Sequence, residues 1–280
     1  MKKEYTIETY MGCTFFVGSS KAFDKDLETV KGILDKGTDN LTAADKFKLL
    51  AIYHPAYHKD GKIEGITSYD SSATNCTFCQ AMRAAAGKNP AHICNFCYDH
   101  TQEHGYRGVN ILNRHTLNML IMSTVEFTTE ELAVIDCTKI NRVNSSGDTP
   151  NKTYAANMIK LAAVNPHARF AFWAKNTKDV IAAVEEVGKP ENMTLVQSSP
   201  IINKPAKLAK YFDIVFTVYV TEKDTINAIQ AGAGECNGHK CNECGFKCYL
   251  NGWNKGKNVA ELLRTNKAHR AAIEAAIAKK

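Results

Sequence analysis

Arg169-Phe170-Ala171-Phe172-Trp173-Ala174 is an apolar run that passes through Lys175-Asn176 straight into a stripe of Val180, Ala183, Val184 and Val187. A short run that is apolar at nearly every position reads as a strand buried on both faces, whereas spacings of three and four read as one side of a helix. The same unit recurs on either side. Upstream, Val134 to Asn144 is strand-like and is followed by Tyr154 to Ala163, with Ala155, Met158, Ile159 and Ala162 on one face. Downstream, Met193 to Gln197 and Asp213 to Val220 are further apolar strands, and Ile226 with Ile229 opens a helix that stops at Gly232. The alternation predicts an α/β fold: a parallel sheet covered by helices, in the form of a partial (β/α) barrel.

Ahead of this core, Phe23, Leu27, Val30 and Leu34 recur at helical spacing before Gly37, and Thr42-x-x-Asp45 reads as a capping box before Phe47, Leu50 and Ala51. Residues 1–60 are therefore expected to form an N-terminal helical layer. Lys62 to Ser68 alternates as a strand, and a loop leads from it into Cys76. Gln80 to Ala86 is helix-prone and ends at Gly87-Lys88-Asn89-Pro90. The core spans residues 61–232, and residues 233–280 form a cysteine-rich metal-binding loop with a helical tail from Val259 to Ala278. In such a fold, functional groups gather at the carboxyl ends of the strands. That rule selects Asn144 to Asp148, Lys175-Asn176, Ser198-Ser199 and Thr217 to Tyr219 as the rim of one cleft, with the first cysteine loop on the same side.

Eight of the ten cysteines fall into two quartets, Cys76-x2-Cys79-x14-Cys94-x2-Cys97 and Cys236-x4-Cys241-x2-Cys244-x3-Cys248. Two thiolates three residues apart turn toward one ion or one cluster corner, and four complete a closed shell. The paired C-x2-C knuckles of the first quartet have the form of a zinc ribbon, whereas the compressed second quartet has the spacing of an iron–sulfur loop. Spacing alone leaves open whether each quartet makes its own site or whether the two share one. Disulfides are disfavoured, because the chain shows no charged-then-apolar leader, and no apolar run of about eighteen residues suggests a membrane partner. A cytoplasmic protein is expected. With 44% apolar and 23% charged residues, the 280-residue chain has the composition of a globular protein with a core. The net charge of +6 is mild, the basic residues are scattered, and a nucleic-acid partner is permitted but not demanded.

Four segments carry a resemblance to a known family: Cys94-Asn95-Phe96-Cys97-Tyr98, Arg142-x3-Ser146-Gly147-Asp148, Pro166 through Asn176, and Cys236 through Tyr249. Over roughly Lys62 to Tyr249 the chain resembles phage and prophage proteins of the gene product eighty-eight type, whose core in turn is similar to that of radical S-adenosylmethionine enzymes. The resemblance implies one or two [4Fe-4S] clusters at the mouth of a barrel, with Arg142, Ser146, Asp148 and Lys175 as substrate- or cofactor-binding groups. It brings S-adenosylmethionine into consideration as a cofactor. The chain departs from the C-x3-C-x2-C form of those enzymes, since Pro90 stands where the first thiolate would precede Cys94 and Cys97. Each quartet here offers four thiolates, and a closed shell suits structure or electron transfer.

Other motifs weigh less. His100-Thr101-Gln102-Glu103-His104 matches an inverted zinc-protease pattern, but a solvated helix face accounts for it as well. Ser146-Gly147-Asp148 is also readable as a turn with an Asp cap, and Lys175 as a solvated strand end. Gly252 to Lys257 is one residue short of a phosphate loop. Cys13 and Cys137 lie outside the quartets, Cys137 as a small core residue. Sequence thus predicts an iron–sulfur protein with redox or radical chemistry at the cleft, fed by an electron donor and acting on a small molecule. No catalytic residue is assigned. The alternative is a zinc-stabilised module that binds nucleic acid or protein.

Overall fold

The computed structural model describes residues 5–87, 89, 91–105, 108–236, 240–244, 248–250, 255–263 and 267–278. Lys88 and Pro90, and residues 252–254 of the Gly252–Lys257 stretch, lie outside them. The chain opens with a hairpin, β1 (Thr6–Tyr10) and β2 (Cys13–Val17), antiparallel with Tyr10 opposite Cys13. Met11 and Gly12 connect the strands with φ of 47° and 76°, the pair of positive values that a type I′ turn needs. This hairpin is an addition to the expected helical layer. The two helices follow, α1 (Lys21–Leu34) and α2 (Ala43–Ile52), the latter capped reciprocally by Thr42 and Asp45. Of the α2 residues read as inward, Leu50 is buried but Phe47 is exposed.

The strand expected over Lys62 to Ser68 shrinks to β4 (Thr67–Tyr69), preceded by the short β3 (Ala56–Tyr57) and by a turn in which Gly65 takes φ 77°. The β4-to-β5 connection carries the first cysteine quartet and four helices, α3 (Thr77–Ala86), α4 (Tyr98–Glu103), α5 (Gly108–Thr124) and α6 (Thr129–Leu132). Strand β5 (Ile140–Val143) covers only part of the run from Val134 to Asn144. Strand–helix units follow as expected: α7 (Lys152–Ala163), β6 (Arg169–Ala174), α8 (Thr177–Val187), β7 (Met193–Ser198), β8 (Ile214–Tyr219) and α9 (Glu222–Gln230). Beyond the two-residue β9 (Gly234–Glu235) and the second quartet, the expected helical tail divides into a strand, β10 (Asn258–Leu262), and a helix, α10 (Lys267–Ala278).

The eight strands pair in the order β3-β4-β5-β6-β7-β8-β10-β9, with every pair parallel except β3 with β4. Strands β4 to β8 lie side by side in chain order, the succession of a (β/α) barrel. The edges β3 and β9 are not paired with each other, so the sheet is open and the expected barrel does not close among the described residues. Alternation divides β6 between two cores. Phe170, Phe172 and Ala174 pack with α5, α7 and α8, whereas Ala171 and Trp173 face Ile66, Val196, Ile214, Val259 and Tyr249 on the other side. The second side is closed by the cysteine-rich segment, since Cys236, Cys241 and Cys248 pack against it.

Buried amides tie the helical layer together. Asn157 on α7 accepts from Phe127 N at 3.1 Å and donates to the carbonyls of Met122 and Val125 at 2.9 and 2.7 Å, which fixes the exit of α5. Asn157→Ala orphans these groups at roughly 1–3 kcal/mol each, so a loss of at least about 2 kcal/mol is expected from the urea unfolding midpoint.

Candidate metal centres

The first quartet is assembled where β4, β5 and β6 end. Cys76 follows the loop after β4 and caps α3, its Sγ accepting from Cys79 N at 3.4 Å. Cys97 caps α4 in the same way, accepting from His100 N at 3.5 Å, and Cys94 lies on the short 3-10 turn before it. Cys79, Cys94 and Cys97 line a cavity of about 30 Å³ together with Asp148 and Lys175. Cys76 is buried behind them, its thiol 3.9 Å from the carbonyl oxygen of Asp148.

Asp148 is the hub of this rim. Its carboxylate accepts from the main-chain N–H of Thr149 (2.8 Å), Lys175 (3.0 Å) and Asn176 (3.3 Å), and it lies 3.6 Å from the Lys175 ammonium. The cap of α7 is Asn151, so Asp148 is neither a helix cap nor a simple turn residue. Gly147 has φ 75°, and a Cβ there would overlap the main chain and Oγ of Ser71. Burial works against the charge of Lys175, but Asp148 and the thiols of Cys94, Cys79 and Cys97 hold its pKa above the ordinary value. The thiols move upward too: Cys79 through its contact with Cys76 and then burial, and Cys94 and Cys97 chiefly through burial.

The second quartet occupies the opposite face of the sheet. Cys236 N donates to Ala260 O at 2.8 Å on β10, and Cys241 N donates to Lys62 O at 2.7 Å. All four thiols of Cys236, Cys241, Cys244 and Cys248 line one cavity of about 110 Å³. Arg142 and Tyr249 line it as well, the guanidinium lying 4.2 Å over the Trp173 ring. The buried Nε of Arg142 has no hydrogen-bond partner among the described residues, and the Tyr249 hydroxyl is directed at the Cys241 thiol. Burial and then the neighbouring thiols push Cys248 up to about 12, and burial followed by Glu261 raises Cys236. Thiols so crowded and desolvated do not ionise together unaided; a bound cationic centre deprotonates them and takes up their charge.

All ten cysteines are free thiols. Among the described residues no three His, Cys, Asp or Glu side chains converge closely enough for one metal ion. In the second quartet the thiols instead share the lining of one cavity with Lys62, Arg142, Trp173 and Tyr249. A tetrahedral zinc site, with Zn–S near 2.3 Å, closes on its ion. A void of about 110 Å³ has room for several water-sized bodies, each needing roughly 10–15 Å³. The four-thiol donor set, the volume of the cavity and the unpartnered Nε of Arg142 fit a polynuclear cluster.

The other candidates separate. Asp148 and Lys175 meet the first quartet, but Arg142 points to the second because strand alternation sends it to the far face. Ser146 enters neither cavity; its N–H donates to Asp70 and its carbonyl accepts from Ser71 N. Ser199 and Thr217 bond to each other. Glu103 is not on a solvated face: it is buried and accepts from Ala73 N, Thr74 N and Ser72 Oγ, while His104 is exposed. Cys137 is buried against Tyr69, whose hydroxyl lies 3.1 Å from its sulfur, and Cys13 is buried in β2. Sequence reading missed Lys62 and Glu261, which no local motif marks, and Tyr249, whose one signal was its place beside Cys248.

Fold and cavities together define a parallel α/β protein with two cysteine-lined cavities, one at the strand ends and one on the sheet face. The chain belongs to the Gene product 88 family, whose model matches residues 34–247. The match takes in α2 and reaches the second quartet, extending further upstream than the likeness read from the sequence. No curated protein and no solved structure matches the chain. No helix among the described residues is long and apolar enough to cross a membrane.

Two expectations follow. Gly147→Ala, strained at φ 75° and in collision with Ser71, is expected to lower stability by at least about 1–3 kcal/mol and to disorder the rim, read by thermal unfolding. Burial raises the Glu103 pKa, but its hydrogen bonds and His115 at 3.5 Å outweigh this and hold it below the ordinary value. A depressed carboxylate stabilises the fold above its unfolded pKa near 4.3, and that contribution is lost as pH falls through the folded value. Urea midpoints between about pH 6 and about pH 3 should therefore fall less steeply in Glu103→Gln than in the wild type.

Proposed function

We propose that this chain is an iron–sulfur protein with one cluster held by Cys236, Cys241, Cys244 and Cys248 and a second held by Cys76, Cys79, Cys94 and Cys97. The observation that carries the reading is the cavity of about 110 Å³ that all four thiols of the second quartet line. An iron–sulfur centre supplies one-electron chemistry when bound, and an electron donor is the partner it needs. At the strand-end cleft, Asp148 is held by three main-chain N–H groups and fixes Lys175, whose ammonium is aimed at an anionic group of a small-molecule substrate. Arg83 also lines this cleft and adds positive charge.

The radical S-adenosylmethionine-like reading is supported by the chain-order succession of parallel strands and by the cysteine loop that follows β4. The fourth thiol of each quartet sets this chain apart from those enzymes. A second reading, zinc in the first quartet as part of a structural binding module, is favoured by the smaller size of that cavity, about 30 Å³.

Protein purified without oxygen is expected to be brown and to contain iron and acid-labile sulfide. Cys244→Ser and Cys94→Ser should each remove one site's share of the metal and leave the other's. Colourless protein with stoichiometric zinc would overturn the iron–sulfur reading, and loss of all metal from either variant would show one shared site.

A further inference from the structure

We infer that Lys62 is a positioning residue of the second cysteine cavity, where its ammonium hydrogen-bonds the Cys236 thiolate and raises the reduction potential of the cluster bound there. The inference rests on the iron–sulfur reading above. Both ends of Lys62 grip the quartet: its carbonyl accepts from Cys241 N at 2.7 Å, and its Nζ lies 3.0 Å from Cys236 Sγ. The same ammonium donates to Glu261 Oε1 at 2.6 Å, so three partners hold the residue in place. Glu261 stands on β10 next to Ala260, whose carbonyl takes Cys236 N. The other cation of the cavity, Arg142, is stacked on Trp173.

Two charges of opposite sign therefore act on one sulfur. Lys62 donates to it, and the Glu261 carboxylate lies 3.9 Å away. Reduction adds one electron to the cluster, taken from an external reductant, and breaks no bond. The added negative charge is stabilised by a cation that hydrogen-bonds a ligating sulfur and opposed by a nearby anion. Lys62→Met removes the cation and also leaves Glu261 without it, so both effects disfavour reduction. Glu261→Gln leaves Lys62 uncompensated and favours reduction. A merely structural role for the pair predicts no such opposition.

The test is a dithionite redox titration of the full-length, anaerobically purified protein, followed by electron paramagnetic resonance. The second cluster is the signal that disappears in Cys244→Ser. Lys62→Met is expected to weaken the one-electron reduction equilibrium at least tenfold, a shift of about 59 mV to more negative potential, and Glu261→Gln to move it the opposite way. Variants that hold wild-type iron and sulfide but keep the wild-type potential, or shift in the same direction, overturn this inference alone. Wild-type protein without iron and sulfide overturns the cluster reading and this inference with it.

Discussion

A parallel sheet has to be covered on both faces, because its strands are apolar on both. In this protein the two covers differ in kind. Helices α5, α7 and α8 close one face with an ordinary hydrophobic core, from Tyr69 through Phe170 and Phe172 to Leu195. The other face, with Ala171, Trp173, Val196 and Ile214, is closed by the segment that carries Cys236, Cys241 and Cys248. That segment buries Tyr249 against this face, and its backbone is fastened to Lys62 and to Ala260 on β10. A metal centre among its thiols would therefore complete the fold as well as supply chemistry, since binding energy at such a site is folding energy.

The two cavities stand close together because one strand serves both. Trp173 faces the second quartet and Lys175 the first, two residues apart at the end of β6. Each cavity brackets its thiols with cations, Lys175 and Arg83 in one, Lys62 and Arg142 in the other. This is the charge pattern that crowded thiolates and an anionic cluster require. The family match takes in the first quartet, β4 to β8 and three of the four cysteines of the second quartet, ending one residue before Cys248.

What local pattern encodes was legible in the sequence. The run from Arg169 to Ala174 was legible as β6, because five successive apolar residues buried on both faces stand between Arg169 and the polar pair Lys175-Asn176. The capping box at Thr42 and Asp45 gave α2, and the strand-end rule placed Asp148 and Lys175 beside the first cysteine loop. Long α5 carried no clean stripe, because it is buried on several sides and mixes Asn113, Thr116 and Asn118 with Leu117, Leu120 and Ile121. The β1–β2 hairpin went unread, and β10 was absorbed into an alanine-rich tail because its partner, β8, is distant in sequence. The spacing of the cysteines made both quartets legible. Lys62 and Glu261 could not be seen, since only the tertiary fold brings them to Cys236, and the grouping of Arg142 with Asp148 and Lys175 did not resolve that it lines the second cavity and they the first.

The central claim is that the cavity of about 110 Å³ lined by the second quartet holds an iron–sulfur cluster. Anomalous diffraction at the iron absorption edge, from crystals grown without oxygen, tests it most directly. The account predicts iron peaks enclosed by Cys236, Cys241, Cys244 and Cys248; a single zinc peak there, or a cavity holding only water, would contradict it.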